Sequence, residues 1–347
     1  MKTRSVTITD IAKEVGVSAR TVSLALNNQG RISIATRERI LQVAKDRNYH
    51  PNTLARGLVT RQTYLLGVVV PYLTSSFFAN IISGIEEQSI GSGYDIILGN
   101  TSMSLEAEKG AIQRMVNRKV DGIICCPDPR YFEFYQGLVT TGIPIVEIMT
   151  HVKGTDAVSI LVDDMDGGRM ATAHLLDLGH RSIGFLRYSA DYYEEIRLRN
   201  EGYRRALISR GISLDLERYE IASDLTLDGS YDATRQLLER NPEMTAIFAP
   251  TDLAAVGAVK ACLDAGKQVP WDISVVGYDD VDFARCQVRY PLTTISQPKD
   301  EVGRAAYQMI QKLIRGEGVA SLTLHASLVV RATTAAAPPR QEQAAAR

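Results

Sequence analysis

From Tyr64 onward the chain alternates short, continuous apolar runs with stretches whose apolar residues recur at helical spacing. The runs are LLGVVV (65–70), YDIILG (94–99), GIICC (122–126), PIVEIM (144–149), SIGFL (182–186), AIFA (246–249) and ISVVGY (273–278). Between them, helical stretches fall at 77–90, 104–118, 165–178, 196–209 and 252–265. A strand exposed on one face alternates apolar with polar residues. A run that is apolar throughout is buried on both faces, as in a parallel sheet covered by helices on either side. The earlier and later runs each suffice for one doubly wound parallel sheet, so the expected body is two α/β lobes.

The first sixty residues have a different texture. Ile8, Ile11, Ala12 and Val15 fall at i, i+3, i+4 and i+7, one face of a short helix that Thr9 or Asp10 can cap and Gly16 ends. Ser18 can cap a second helix with Val22, Ala25 and Leu26 inside, and Asn27, Asn28 and Gly30 are its stop signals. A third begins near Ser33 and buries Ile40, Val43 and Ala44. Three such helices, the first two joined by a tight Gly-containing turn, make an all-α helix-turn-helix head. Residues 1–61 carry 11 Lys/Arg against 4 Asp/Glu, a balance of +7, and the remainder carries 28 against 36, a balance of −8. A basic head on an acidic body points to a polyanion-binding module joined to something else.

Other classes fit poorly. A chain of 347 residues exceeds one ordinary core, and 45% hydrophobic with 23% charged residues is the composition of a soluble globular protein. No window holds the roughly 18 apolar residues of a membrane span, and MKTRSVTITD lacks the apolar run of a signal peptide, so a cytoplasmic location without a membrane partner is expected. Cys125, Cys126, Cys262 and Cys286 give neither a disulfide framework nor a zinc spacing, and buried reduced thiols are expected. There is no GxSxG or HExxH; ACLDAGKQ (261–268) misses a phosphate loop at Ala261 and Gln268, and DDMDG (163–167) misses a calcium loop at Val162 and Ala173. No catalytic residue, metal or cofactor is therefore expected. A freestanding solute-binding protein would account for the body but not for the basic head.

The run TITDIAKEVGVSARTVSLALNNQGRISIATRERILQVAKDRNYHPNTLARGL (7–58) resembles the head of the lactose-repressor (LacI/GalR) family of transcriptional regulators. The likeness continues in order through VTTGIPIV, HLLDLGHRSIGFL, RNEGYRRAL, AIFAPTDLAAVGAV, ISVVGYDD and PLTTISQP. It implies a DNA-binding domain at 1–50, a hinge at 51–61 and an effector-binding, dimerising core at 62–334 that is similar to periplasmic sugar-binding proteins. In such cores the chain crosses between lobes three times, expected here near residues 162, 292 and 322. Lobe 1 is then about 62–162 and 293–321, and lobe 2 about 163–292 and 322–334. A helix at 298–315 returns to lobe 1 and the strand ending in SLVVR to lobe 2. The tail at 335–347 has no apolar periodicity and is expected to be disordered. The implied partners are operator DNA, a small-molecule effector and a second copy of the chain.

A helix-turn-helix sets its second helix in the major groove, where outward side chains near its N-terminus meet base edges. Opposite Val22 and Leu26 those positions are Ala19, Arg20, Ser23 and Leu24. By the resemblance, Ala19, Arg20 and Leu24 match base-reading positions, but many relatives carry a polar or basic residue where Leu24 stands. Arg20 is then the candidate for bidentate guanine recognition. Thr9, Ser18, Thr21 and Asn27 suit backbone contacts, and Ser18, Thr21 and Asn27 also suit caps and turns. In the hinge, Asn52, Leu54, Ala55, Arg56 and Leu58 complete the expected interface. The resemblance implies paired hinge helices in the minor groove, with Leu58 wedged into a base step.

Ligands of two-lobed α/β proteins lie at the carboxyl ends of parallel strands. Asn100, Asp128, Asp163, Asp164, Asp252, Asp279 and Asp280 follow strands directly. On the family pattern Arg199 and Asp279 grip the effector, with Gln297 and Phe77 or Phe78 as walls, although a buried Arg–Asp pair can also be purely structural. Three positions depart from that pattern: Met149 replaces an Asp, Thr251 an Asn, and Leu225 an aromatic common in sugar-responsive members. Tyr192, Tyr193 and Glu195, in the loop before Arg199, are placed to compensate. The expected effector is a sugar, a sugar derivative, a sugar acid or another small polar metabolite.

Overall fold

The computed structural model describes residues 6–26, 30–49, 62–189, 193–213, 215–286 and 290–339. They fall into two units, a head up to Thr63 and a core from Tyr64 onward.

The head holds α1 (Ile8–Val15), α2 (Ala19–Leu26) and α3 (Ile34–Asp46). Thr7, rather than Thr9 or Asp10, caps α1. Its side chain accepts from the Asp10 backbone N–H, and its own N–H donates to the Asp10 carboxylate at 2.9 Å, a reciprocal capping box. Gly16 closes α1 at φ 79°, a left-handed turn that lets α2 fold back. Ser18 Oγ accepts from the Thr21 N–H at 3.0 Å, and Ser33 caps α3. Ile11, Ala12, Val15, Val22, Ala25, Ile40 and Ala44 interlock as the head core, and Leu26 and Val43, expected inside, are only partly buried.

In lobe 1 of the core, β1 (Leu65–Val70), β2 (Asp95–Asn100), β3 (Gly122–Cys125), β4 (Ile145–Ile148), β5 (Val158–Val162) and β11 (Leu322–Leu324) form one sheet, ordered β11-β5-β4-β3-β1-β2. All its pairings are parallel. In lobe 2, β6 (Ile183–Tyr188), β7 (Glu220–Ser223), β8 (Ala246–Phe248), β9 (Ser274–Asp279), β10 (Thr293–Ser296) and β12 (Ser327–Val329) are ordered β12-β10-β9-β8-β6-β7. Only β12 runs antiparallel there, against β10. Lobe 1 carries α4 (Ser76–Ser89), α5 (Leu105–Asn117), α6 (Phe132–Val139) and α13 (Lys299–Ile314). Lobe 2 carries α7 (Asp164–Asp177), α8 (Glu194–Ser209), α9 (Leu216–Tyr219), α10 (Leu227–Arg240), α11 (Asp252–Asp264) and α12 (Asp282–Cys286).

The first crossing follows Val162 as expected, but the other two come later than the sequence implies. Thr293–Ser296 still belongs to lobe 2, pairing with β9, so the chain crosses after Ser296 rather than near 292. Leu322–Leu324 pairs with β5 in lobe 1, so the return falls between Leu324 and Ser327 rather than near 322. The start of the tail is also ordered against lobe 2. The Ala335 N–H donates to Ser274 Oγ at 3.1 Å and the Ala337 N–H to the Leu178 carbonyl at 2.8 Å, which removes 335–337 from the expected disorder. Residues 340–347 lie outside the described residues. Cys125, Cys126 and Cys262 are buried thiols, whereas Cys286 is exposed.

One helix crossing determines where Arg199 can stand. A Cβ on Gly202 would lie 2.1 Å from the Met165 carbonyl, and one on Gly168 would lie 2.2 Å from the Arg199 carbonyl, so α7 and α8 touch backbone to backbone. Gly202→Ala is expected to force them apart at a cost of roughly 1–3 kcal/mol, the usual range for overpacking. The check is thermal unfolding of the full chain: an unchanged Tm would show that this crossing tolerates a side chain.

Candidate recognition helix and interlobe cleft

In the head, burial of Val22 and Ala25 turns the opposite side of α2 outward. Arg20 is exposed and has no hydrogen-bond or ion-pair partner among the described residues, while Ser23 and Leu24 are partly exposed. Ala19 instead packs partly against the head core. Leu24 lies against the turn at Gly30, where a Cβ would sit 3.2 Å from Leu24 Cδ1. Thr21 shares its hydroxyl with Ser18 Oγ at 2.9 Å, and Thr9 is exposed on α1. Asn27, Asn52, Leu54, Ala55, Arg56 and Leu58 lie outside the described residues, as does Tyr192.

In the core, the carboxyl ends of four strands share a backbone feature. Met103 after β2 (φ 59°), Met149 after β4 (φ 66°), Leu225 after β7 (φ 59°) and Asp279 at the end of β9 (φ 110°) all occupy positive φ. Such conformations are uncommon and costly for residues with side chains, and they collect at functional sites. Three of these four are residues expected at the effector site from sequence: Met149, Leu225 and Asp279.

Arg199 lies at the centre of the lobe 2 edge, 4% exposed. Its Nε donates to Asp164 Oδ1 at 2.7 Å, its Nη1 donates to the Pro250 carbonyl at 2.6 Å, and its guanidinium carbon stands 3.7 Å from the centre of the Tyr278 ring. Asp279 Oδ1 is 3.6 Å from Nη1 and accepts from Gln297 Nε2 at 2.7 Å. Burial opposes the Arg199 charge, but Asp164, Tyr278 and Asp279 around it hold its pKa above the ordinary value. Burial lifts the Asp279 carboxyl to about 6 even though Arg199 pulls the other way.

Lobe 1 meets this edge through Lys299, at the start of α13. Its buried ammonium donates to the backbone carbonyls of Asp279 and, at 3.1 Å, Asp280, and stands 5.9 Å from the Phe77 ring centre. Phe77 is buried, with Phe78 edge-on to it at 5.1 Å. At the start of α8 the Tyr193 hydroxyl donates to Met103 Sδ at 3.6 Å, and the Lys153 ammonium pairs with Glu194 at 2.5 Å. Phe77, Tyr193, Arg199, Asp279 and Gln297 are therefore brought to the junction of the lobes.

Other expected residues serve the fold. Thr251 caps α11 by accepting from the Ala254 N–H at 3.1 Å. Asn100 holds the loop after β1 by accepting from the Leu73 N–H at 2.9 Å. Asp128 pairs bidentately with Arg130, Asp163 caps α7, and Asp280 pairs with Arg285 and Arg331. Sequence reasoning missed Lys299, Tyr278 and the Pro250 carbonyl. Lys299 left a signal, a cation directly after the PLTTISQP segment.

A compact helical head whose second helix presents an exposed Arg20, together with a two-lobed α/β core that has a charged polar cleft, defines a DNA-binding regulator with a small-molecule site. Residues 7–52 match the model of bacterial regulatory proteins of the lacI family, and residues 172–334 that of a periplasmic binding protein-like domain. The chain is 33% identical over 312 residues to the ribose operon repressor of Escherichia coli K12, covering 88% of this chain and 92% of that protein. It is 31% identical over 318 residues to catabolite control protein A of Priestia megaterium, covering 91% and 95%. Among solved structures it superposes on the lac repressor dimer bound to operator and the anti-inducer ONPF with a TM-score of 0.85, at 30% identity over 96% of this chain and 100% of that one. The chain belongs to the LacI family of bacterial transcriptional regulators.

At the start of α11, the buried Asp252 accepts from Thr294 Oγ1 at 2.6 Å and from the Val281 N–H at 2.9 Å. Burial, reinforced by the neighbouring Asp279 charge, raises its carboxyl to about 8. An unfolded Asp releases its proton near pH 4, so between about pH 4 and 8 the folded chain holds a proton that the unfolded chain has lost. On this group alone stability is greatest below about pH 4 and falls as pH rises, by up to roughly 1.4 kcal/mol per unit. Asp252→Asn removes that titration, and the Thr294 hydroxyl can turn to accept from the amide. Denaturant unfolding between about pH 5 and 8 is expected to show a flatter pH dependence than the parent. Identical slopes would mean that Asp252 is ionised in the folded state.

Proposed function

We propose that this protein binds a pseudo-palindromic operator as a homodimer in the cytoplasm and represses transcription. A small polar metabolite, namely a sugar, sugar derivative or sugar acid, held between the lobes sets its operator affinity. Support comes above all from the union in one chain of an outward Arg20 on a helix-turn-helix and a cleft whose polar groups come from both lobes. A single head offers one recognition helix, and two-fold symmetry doubles the contacts. Ser18, Thr21, Ser23 and Leu24 flank Arg20, with Ala19 behind it; Thr9 and, by family likeness, Asn27 are assigned to the DNA backbone. By family likeness Asn52, Leu54, Ala55, Arg56 and Leu58 extend the interface into the minor groove. Phe77, Phe78, Asn100, Met149, Tyr193, Glu195, Arg199, Leu225, Thr251, Asp279 and Gln297 surround the effector, with Asn100 and Thr251 acting through the loops they hold.

Selection from random duplexes, followed by operator binding with and without a metabolite panel, tests this directly. Arg20→Ala is expected to relax selectivity at one base pair in each half-site, at roughly 1–3 kcal/mol per lost bidentate contact, and to leave the head folded. Asp279→Asn retains an acceptor for Gln297 and is expected to leave effector-free operator binding unchanged while blunting the effector response. A monomer on the operator, or a full response in Asp279→Asn, would refute the corresponding part.

A further inference from the structure

The outer edge of lobe 2 holds a second charged cavity, none of whose lining residues belongs to the cluster around Arg199. A space of about 380 Å³ opens beside β7, the edge strand of that sheet, and its walls carry Arg187, Arg204 and Arg240. The three arginines come from separate elements: β6, α8 and the last residue of α10. Leu216 and Ile221 supply apolar wall beside them, and walls of low polarity focus the field of the cations into the space they enclose.

Two acids line the same cavity, and only one is neutralised. Glu220, buried at the start of β7, accepts from Arg204 Nε at 2.7 Å and from Arg204 Nη2 at 2.6 Å, so both of its oxygens are committed. Glu217 is exposed on α9. Arg187 and Arg240 are also exposed, and among the described residues no hydrogen bond or ion pair occupies either guanidinium. Two unoccupied cations against one unoccupied carboxylate leave the cavity positive. Arg204 adds further donors, since Glu220 engages only two of its five N–H groups.

We propose that this cavity binds a phosphate dianion, free or carried on a small metabolite, at a site separate from the effector cleft. The terminal oxygens of a phosphate point in different directions and suit guanidinium forks that arrive from different elements. The two coplanar oxygens of a carboxylate are served by a single fork. The volume is that of a small-molecule site. Glu217 tempers the attraction, because its charge opposes an anion, yet it also offers an acceptor to a hydroxyl on the group that carries the phosphate.

The test is calorimetric titration of the full chain with inorganic phosphate, glycerol phosphate and acetate at neutral pH and constant ionic strength. Saturable binding of a phosphate probe is expected, with acetate silent. Tighter binding of glycerol phosphate identifies a phosphate ester as the occupant, and equal or tighter binding of inorganic phosphate identifies the free anion. Arg187→Gln and Arg240→Gln are each expected to weaken that binding roughly 10-fold or more, the scale of one charge-assisted hydrogen bond. Glu217→Gln removes a like charge and is expected to strengthen it. All three side chains are exposed, so the ligand-free Tm should stay within roughly 2 °C of the parent, which separates lost binding from lost folding. No saturable binding at millimolar phosphate, binding unaltered in both arginine variants, or acetate binding as tightly as phosphate would overturn the proposal.

Discussion

The Arg199 guanidinium, buried among Asp164, Asp279 and the ring of Tyr278, is the constraint around which lobe 2 is arranged. Removing a cation from water is expensive, and the cost is recovered only where partners meet it with good geometry. Here the partners of Arg199 come from three separate pieces of chain: Asp164 just past the first lobe crossing, the Pro250 carbonyl after β8, and Tyr278 with Asp279 on β9. None can move without leaving a charge unpaired. The glycine contact between α7 and α8 belongs to the same arrangement, since the Arg199 carbonyl occupies the space a Gly168 side chain would need. Tyr278 also offers its ring face to the guanidinium, an interaction that strengthens when water is excluded.

Contacts across the cleft are of another kind. Lys153 and Glu194 pair with side chains 75% and 37% exposed, and such surface pairs contribute about 0–1 kcal/mol. The Tyr193 hydroxyl meets a sulfur, a weak acceptor. Lys299 bonds to backbone carbonyls and so follows the strand end at Asp279 rather than any one side chain. Within lobe 2 the polar groups are buried and mutually dependent; between lobes they are fewer and replaceable. That asymmetry leaves the junction of the lobes as the place where a ligand's own bonds can compete with the protein's.

The parallel sheets were legible because interior strands must be apolar on both faces, and all seven apolar runs became strands. Four strands lay outside those runs: β7 and β11 are edge strands of three or four residues, β5 is a five-residue interior strand interrupted by the buried Ser159, and β10 reads TTIS. β12 was expected through the family likeness alone. In β10 the buried Thr293 and Thr294 are satisfied by distant partners, Thr333 and Asp252, which no local pattern can announce. Misplacing β10 and β11 shifted two lobe crossings by a few residues. The candidate site divides in the same way. Arg199, Asp279 and Gln297 were legible through their flanking motifs, whereas Tyr278 looked like a core aromatic and the Pro250 carbonyl has no side-chain signature. Thr251 and Asn100 are polar residues at strand ends whose bonding capacity the local backbone had already claimed.

Two buried side-chain oxygens at the lobe junction, Glu195 Oε2 and Gln297 Oε1, have no hydrogen-bond partner among the described residues. A ligand alters operator affinity only through its different affinity for the two lobe arrangements, and a tenfold change requires about 1.4 kcal/mol of difference. That is the scale on which one buried acceptor is satisfied or left bare. Glu195 stands on α8 in lobe 2, and Gln297 follows β10 where the chain passes toward lobe 1. A ligand bonded to lobe 2 makes binding depend on lobe position only where it also touches lobe 1, which Lys299 and Phe77 bring to this edge. Linkage then makes the effect reciprocal: an operator that favours one lobe arrangement must change the ligand's affinity by the same factor.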